Sequence, residues 1–286
     1  MAYLDGVDPT TGFIPAIGFE NKGKELAESY ASAEPFPSIV IDDFLPDELT
    51  NRLLDFFYEK HKSSDLNHHY NRYQERLKDS YNPDTLDDFA RTAFYSFNSR
   101  SFVKIFENIT GIKGLIPDPY FFGAGFHEMH NGGYLAIHTD FNHHKLLNLE
   151  RRITVLIYLN KDWKAEYGGQ LELWDAKMTH AVRSYEPSFN RCIIFTAASN
   201  SLHGNPNPIN HPEGRSRKSI ALYYYTSTWD VSKRSHTTQF KIRPDTADKI
   251  DWSIKQKEWT EDLLPPFFVR NFARIKHFLV DKGRPR

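Results

Sequence analysis

One cysteine, three methionines and almost no net charge leave this 286-residue chain short of several familiar devices. A lone Cys192 excludes an internal disulfide and suits a reducing compartment, where it reads as a small core residue on a strand. With 36 basic against 37 acidic residues the formal charge is −1, which gives no bulk electrostatic reason to expect nucleic acid as a partner. A run of about 18 apolar residues, the minimum for a membrane-spanning helix, is missing. Met1-Ala-Tyr-Leu-Asp-Gly6 also lacks the basic-then-apolar texture of a secretory leader, so the expected location is cytoplasmic. Internal repeats and low-complexity tracts are missing as well. A 40% hydrophobic and 15% aromatic composition is enough for a substantial core.

Along the chain the texture changes once. The first 36 residues mix Gly, Pro and charge, and are expected to wrap the surface. Ser38 to Phe44 reads as a strand. Pro46-Asp-Glu then starts a helix carrying Leu49, Leu53, Phe56 and Phe57. His61 to Pro83 shows no clean period and is expected to be a solvated connection, with a flexible or lid-like segment as the alternative, and no carboxylate pattern accompanies His68-His69 in sequence. Leu86, Phe89, Ala90, Ala93, Phe94 and Phe97 mark an amphipathic helix, with a shorter one expected around Phe102, Ile105 and Phe106. From Tyr120 onward strands dominate, interrupted by an expected turn at Asn131-Gly-Gly133. The expected domain spans residues 37–230. Residues 231–286 form an extension whose Phe268, Phe272, Ile275 and Leu279 share one face of a basic amphipathic helix, suited to its own domain, a partner or an anionic membrane surface.

The densest chemistry lies between Asn131 and Thr226. In Tyr134-Leu-Ala-Ile-His-Thr-Asp140 an extended backbone turns His138 and Asp140 to the same face. A second histidine, His203, lies further along. Two imidazoles and a carboxylate on one face of a metal leave the opposite face open, the donor pattern of non-heme Fe(II) oxygenases. His211, inside the loop Asn205 to Gly214, is a rival third ligand; His203 is preferred because it closely follows the apolar run Cys192 to Phe195 and precedes Gly204.

Around these residues come Tyr158-Leu-Asn-Lys-Asp-Trp163, Gly168-Gly-Gln-Leu-Glu-Leu-Trp174, Asn190-Arg-Cys-Ile-Ile-Phe195, Leu202-His-Gly204 and Arg217-Lys-Ser-Ile-Ala-Leu-Tyr223. In this order the run from about Pro37 to Ser227 resembles the prolyl 4-hydroxylase-like branch of the Fe(II)/2-oxoglutarate dioxygenases. The resemblance implies a mainly β fold with flanking helices, the double-stranded β-helix or jelly-roll barrel. It implies His138, Asp140 and His203 as iron ligands, and Arg217 and Tyr158 as partners of the distal carboxylate of 2-oxoglutarate. It further implies O2 as cosubstrate, with ascorbate an optional addition. Lys218 is the neighbouring alternative to Arg217; the small Ser219 and Ala221 on Arg217's face leave room for a cosubstrate and favour the arginine.

Strict alternation on Arg151 to Tyr158 puts Arg152, Thr154, Leu156 and Tyr158 on one face, with Arg152 placed either to meet an anionic substrate or to sit on the surface. His143-His144 has the same two readings, and His180 is expected to be exposed. Tyr223 and Tyr225 are expected in phase with Arg217. Related halogenases carry a small residue where Asp140 stands, so the carboxylate argues against halogenation. The expected activity is oxidation of an unactivated C–H bond, most simply hydroxylation, in a prolyl, peptide or amino-acid-like small molecule, with release of succinate and CO2. The alternatives are a non-catalytic jelly-roll binding module and a cupin-type enzyme that does not use 2-oxoglutarate. The oligomeric state is left open.

Overall fold

Alternation along Leu149–Tyr158 decides how this molecule is layered. Ile153, Val155 and Ile157 face one way and are fully buried, while Thr154, Leu156 and Tyr158 face the other. A strand with demands on both faces must lie between two layers. The structure is a computed structural model, and it describes residues 1–15, 17–58, 65–230, 232–249 and 251–252. Met1–Asp248 is one compact unit and Lys249–Arg286 a second. The helix expected around Phe268 to Leu279 lies outside the described residues. Among the described residues no helix is long and apolar enough to cross a membrane.

The strands are β1 (Ser38–Ile41), β2 (His68–Arg72), β3 (Glu75–Tyr81), β4 (Ile116–Pro117), β5 (Gly125–Thr139), β6 (His143–His144), β7 (Leu149–Tyr158), β8 (Leu171–Trp174), β9 (Ala181–Tyr185), β10 (Cys192–Thr196), β11 (His203–Asn205), β12 (Arg217–Thr226) and β13 (Gln239–Phe240). The helices are α1 (Ala27–Ala31), α2 (Asp47–Asp55), α3 (Asp88–Phe97) and α4 (Arg100–Thr110). The main path runs β1-β10-β7-β12-β5-β11-β8-β9, and every named strand pair is antiparallel.

Strand β5 belongs to both halves of the barrel. Its first part pairs with β12 and β3, and its last part with β11 and β13. The strand changes partner across 130–133, where pairing with β3 jumps from Lys78↔Met129 to Arg76↔Tyr134. Asn131-Gly-Gly133 therefore makes an irregularity inside one long strand, not the expected turn. Gly132 has φ +83, and a Cβ on Gly133 would lie 2.8 Å from the carbonyl oxygens of Arg76 and His130. Glycines let the backbone kink there without clashing. With one strand shared between two facing sheets, the arrangement is a double-stranded β-helix.

Each face of the β10-β7-β12 sheet has its own core. Outside, Ile153, Val155, Ile157, Cys192, Ile194 and Leu222 meet an aromatic layer from the helices. Phe94 and Phe97 of α3 and Phe102 and Phe106 of α4 pack as tilted or edge-on rings, and Phe106 reaches Tyr224 at 5.0 Å. Both helices start where their sequence has a cap: Asp87 accepts from the Ala90 amide at 2.7 Å and Ser99 from the Phe102 amide at 3.3 Å. Inside, Tyr158, Leu171, Leu173, Ile193 and Phe195 form a smaller apolar floor.

Two segments differ from their sequence-based expectations. Leu4, Val7, Ile14 and Tyr30, in the stretch expected to wrap the surface, are buried in the outer core. Within 61–83, the described residues form the β2–β3 hairpin, and β3 extends the sheet along β5. The hairpin eluded pattern reading because charged groups occupy both of its faces, so no apolar period-2 signal exists. The unit also continues past residue 230: Phe240 of β13 pairs with His138 and Gln239 with Thr139.

Candidate active site

His138 and Asp140 sit at the end of β5, and antiparallel pairing places His203 of β11 directly opposite His138. The donor atoms of the three residues lie within 4.8 Å of one another. His138 Nε2 is 3.7 Å from Asp140 Oδ1, and His203 Nε2 is 3.6 Å from Asp140 Oδ2. Each imidazole is aimed by its own backbone. Nδ1 of His138 donates to the Ala136 carbonyl at 2.8 Å, and Nδ1 of His203 to the Ser201 carbonyl at 2.9 Å. With the proton fixed on Nδ1, both rings present an Nε2 lone pair to the shared space, which is how histidine is prepared for a metal.

The electrostatics favour the same protonation states. Burial pushes His138 down to about 4, with neighbouring His203 adding to the effect and Asp140 opposing it. Burial also lowers His203, against the pull of Asp140. Asp140 behaves oppositely: burial would raise it, but Arg151 above all, then the two histidines and the Thr154 hydroxyl, hold it well below the usual carboxylate range. The cluster is thus two neutral imidazoles and a carboxylate near neutral pH, a borderline N/O donor set that fits Fe(II).

Arg151 was not among the sequence-based candidates, which had Arg152 on the inner face. Register against β12 explains the change. Ile153 lies opposite Tyr224 but Arg151 opposite Tyr225, so β7 has one extra residue at this point. Such a bulge resets the alternation and turns Arg151 inward. Its Nη2 donates to Asp140 Oδ2 at 2.7 Å and to Thr154 Oγ1 at 2.8 Å, and Thr154 Oγ1 lies 3.0 Å from the same carboxylate oxygen. Arg152 instead donates to Thr226 at 3.3 Å and borders a separate surface hollow.

The triad opens into a cavity of about 630 Å³. Its wall includes Arg217, which is 6% exposed. Arg217 Nη2 donates to the Tyr158 hydroxyl at 3.0 Å and Nε to the Gly169 carbonyl at 2.8 Å. Gly169 is needed here: it has φ +73, and a Cβ would come within 3.0 Å of the Arg217 side chain. Tyr158 is fully buried behind the guanidinium and does not line the cavity, and burial raises its phenol while Arg217 opposes the rise. Lys218 faces away, bonding Ser216 Oγ at 2.6 Å. A cation braced by a phenol and a carbonyl, in the same cavity as the triad, suits the far carboxylate of a keto-diacid.

Other histidines fall elsewhere. His211, the rival third ligand, is buried away from the triad and packs on Tyr167 at 4.4 Å and Trp163 at 5.4 Å. His143 stacks on Trp229 at 4.0 Å, and His144 lies 3.4 Å from buried Asp118; neither borders the cavity. His69 does find a carboxylate, from the neighbouring strand: its Nδ1 is 2.6 Å from Asp79 Oδ1, and His130 Nε2 is 2.6 Å from Oδ2. Asp79, Glu128 and His130 form a second compact donor group, but hydrogen bonds already engage both oxygens of Asp79 and of Glu128. Tyr223 borders the cavity in phase with Arg217, as expected, whereas Tyr225 packs against His144 at 5.4 Å.

A family model described as the 2OG-Fe(II) oxygenase superfamily matches residues 124–225. Similar solved structures include a prolyl hydroxylase in complex with a hypoxia inducible factor oxygen degradation domain peptide from Trichoplax adhaerens, at 16% identity, TM-score 0.49, and coverage of 71% of this chain and 88% of that one. A Pseudomonas putida prolyl-4-hydroxylase is similar at 18% identity, TM-score 0.48, and coverage of 71% and 98%. HygX from Streptomyces hygroscopicus, with nickel, 2-oxoglutarate and hygromycin B bound, is similar at 10% identity, TM-score 0.48, and coverage of 76% and 96%.

Proposed function

We propose that this chain, whose residues 124–225 match the 2OG-Fe(II) oxygenase superfamily model, acts as such an oxygenase and hydroxylates an unactivated C–H bond of a prolyl, peptide or amino-acid-like substrate. We assign His138, Asp140 and His203 as the iron ligands and Arg217, braced by Tyr158, as the partner of the distal carboxylate of 2-oxoglutarate. When bound, iron and 2-oxoglutarate supply the oxidising chemistry, with O2 consumed and succinate and CO2 released. The observation that carries this reading is the presence of the triad and Arg217 in one cavity.

The chain's own residues have definable tasks. The carbonyls of Ala136 and Ser201 hold the imidazole protons away from the metal, so the rings stay ligands and do not act as acids. Arg151 and Thr154 both engage Asp140 Oδ2 and so fix the carboxylate that would help hold the metal. Leu156, Leu171 and Phe195 line the cavity near these groups and keep water scarce, which strengthens each charge contact there. Tyr70, Tyr120 and Phe122 border the same space. Exposed Tyr120 and Phe122 offer flat apolar surface to an incoming substrate.

A screen of free amino acids, proline-containing peptides and related metabolites for succinate release, with Fe(II) and air, tests the proposal. At least one class should stimulate release, and the stimulation should vanish without oxygen and in His138→Ala. Release that is equal with and without oxygen, or none from any class, would count for the idle binding module.

A further inference from the structure

A buried guanidinium with donors left over calls for an oxygen to receive them. Arg151 is 1% exposed, yet among the described residues its Nε and Nη1 have no hydrogen-bond partner; Nη2 is engaged, on Asp140 and Thr154. Its flat faces are covered by aromatic rings, with Tyr223 at 3.5 Å and Phe141 at 4.5 Å from the guanidinium carbon to the ring centre. The Tyr223 hydroxyl also interacts favourably with the guanidinium, but among the described residues no hydrogen bond of normal geometry reaches Nε or Nη1. What remains of the group is its buried edge, and Arg151 borders both the triad cavity and the surface hollow beside Arg152.

A second cation borders the same cavity from the hairpin. Lys78 gives one ammonium proton to Glu75 at 2.9 Å and lines the same cavity as Arg151 and Tyr223. Arg72, Lys78, Arg151 and Arg217 border the cavity against the carboxylates of Asp65, Glu75 and Asp140. A divalent metal and a doubly charged cosubstrate would cancel each other and leave that excess of positive charge in place. His127, which burial and then Lys78 push well below its ordinary value, adds no charge near neutral pH.

We propose that the Nε and Nη1 edge of Arg151, with Lys78 bordering the same cavity, is a subsite for an acidic group of the substrate, a carboxylate or an oxyanion of similar size. The assignment rests on the function proposed above. Because the same guanidinium holds Asp140, the acidic group binds a short distance from the metal and only a few bonds from the carbon that is oxidised. The substrate therefore brings a free acid to the site, as a free amino acid or a chain end does and a residue inside a peptide does not. Arg217 keeps the cosubstrate at its own end, held by Tyr158 and Gly169.

Full-length protein is first saturated with Zn(II), which binds without turnover, and with 2-oxoglutarate, and the loading is measured. Propionate and its uncharged counterpart propionamide are then compared by saturation-transfer NMR. Propionate should bind at least about tenfold more tightly than the amide. Lys78→Met should weaken propionate by about tenfold, and Arg151→Gln should abolish the preference for the acid. Metal content is measured in each variant because Arg151 also supports Asp140. If the Arg151 variant fails to fold, Lys78→Met alone decides. Equal binding of acid and amide, binding of neither, or propionate binding indifferent to Lys78→Met overturns the subsite. So does an Arg151→Gln variant that needs far more 2-oxoglutarate but keeps the acid preference, since the donors would then serve the cosubstrate. Wild-type protein that takes up neither Zn(II) nor 2-oxoglutarate removes the functional reading and the subsite with it, and the loading step tells that failure from the others.

Discussion

The barrel strands and the β2–β3 hairpin border one cavity but are held by different forces. In the barrel, β7, β10 and β12 pair over long registers and bury Ile153, Val155, Ile157 and Ile194 completely. The hairpin is held by charges: Glu75 bonds both Arg72 and Lys78 at 2.9 Å, and Asp79 bridges His69 and His130. The difference separates tasks. A ligand set tolerates little displacement and sits on rigid apolar scaffolding, while the hairpin supplies polar groups that can be altered without rebuilding the barrel.

Changes on the barrel side should have the largest effects. Asp140→Ala should abolish Fe(II)-dependent succinate formation, and near-normal turnover would refute the ligand assignment. Next, Arg217→Ala should remove about 2–5 kcal/mol of 2-oxoglutarate binding, raising its half-saturating concentration at least about thirtyfold. Lys218→Ala should change it little, since that ammonium bonds Ser216. The reverse order would transfer the role to the lysine.

The hairpin should respond more mildly and in a different observable. Glu75→Gln strips Lys78 and Arg72 of their shared carboxylate and should destabilise the fold by roughly 1–3 kcal/mol. Amide exchange should quicken in β2 and β3 more than in β7; equal quickening would mean the two regions unfold as one.

Acid provides a finer test. Burial would raise Glu75, but Lys78 and then Arg72 hold its pKa down at about 2. A carboxyl depressed in the folded state stabilises above its unfolded value near 4.5 and loses that contribution as pH falls towards 2. His138 has the opposite chemistry but loses stability over an adjoining window. Its folded value of about 4 lies below the ordinary 6.5, so the metal-free fold weakens as pH falls from 6.5 towards 4 and the unfolded chain takes up the proton first. Bound metal should survive at pH 5 better than it would on exposed histidines, as measured by metal content after dialysis.

The same contrast explains what could be read from the sequence. His138 and Asp140 were legible as a pair because two residues along a strand return a side chain to the same face, whereas the roles of His203 and Arg217 were implied by the family resemblance, the small residues beside Arg217 only favouring it over Lys218. Helices α3 and α4 were legible from their aromatic spacing. Arg151 was hidden by a bulge, since strict alternation names Arg152 instead. Glu75 and Lys78 were hidden because a charge-paired hairpin has no apolar rhythm. The kink at Gly132-Gly133 carried glycines as a turn would, and the pairing of β3 along both halves of β5 tells the two apart.

The account depends on a metal at the triad and a keto-diacid at Arg217 meeting in one cavity. Anaerobic titration of the Fe(II)-loaded protein with 2-oxoglutarate, followed by visible absorption, tests this directly, because chelation of the keto acid by iron creates a charge-transfer band. The band should appear in the wild-type protein, be missing in His138→Ala, and require much more 2-oxoglutarate in Arg217→Ala. A band that forms equally well in all three proteins, or in none, would contradict the assignment of both ends of the site.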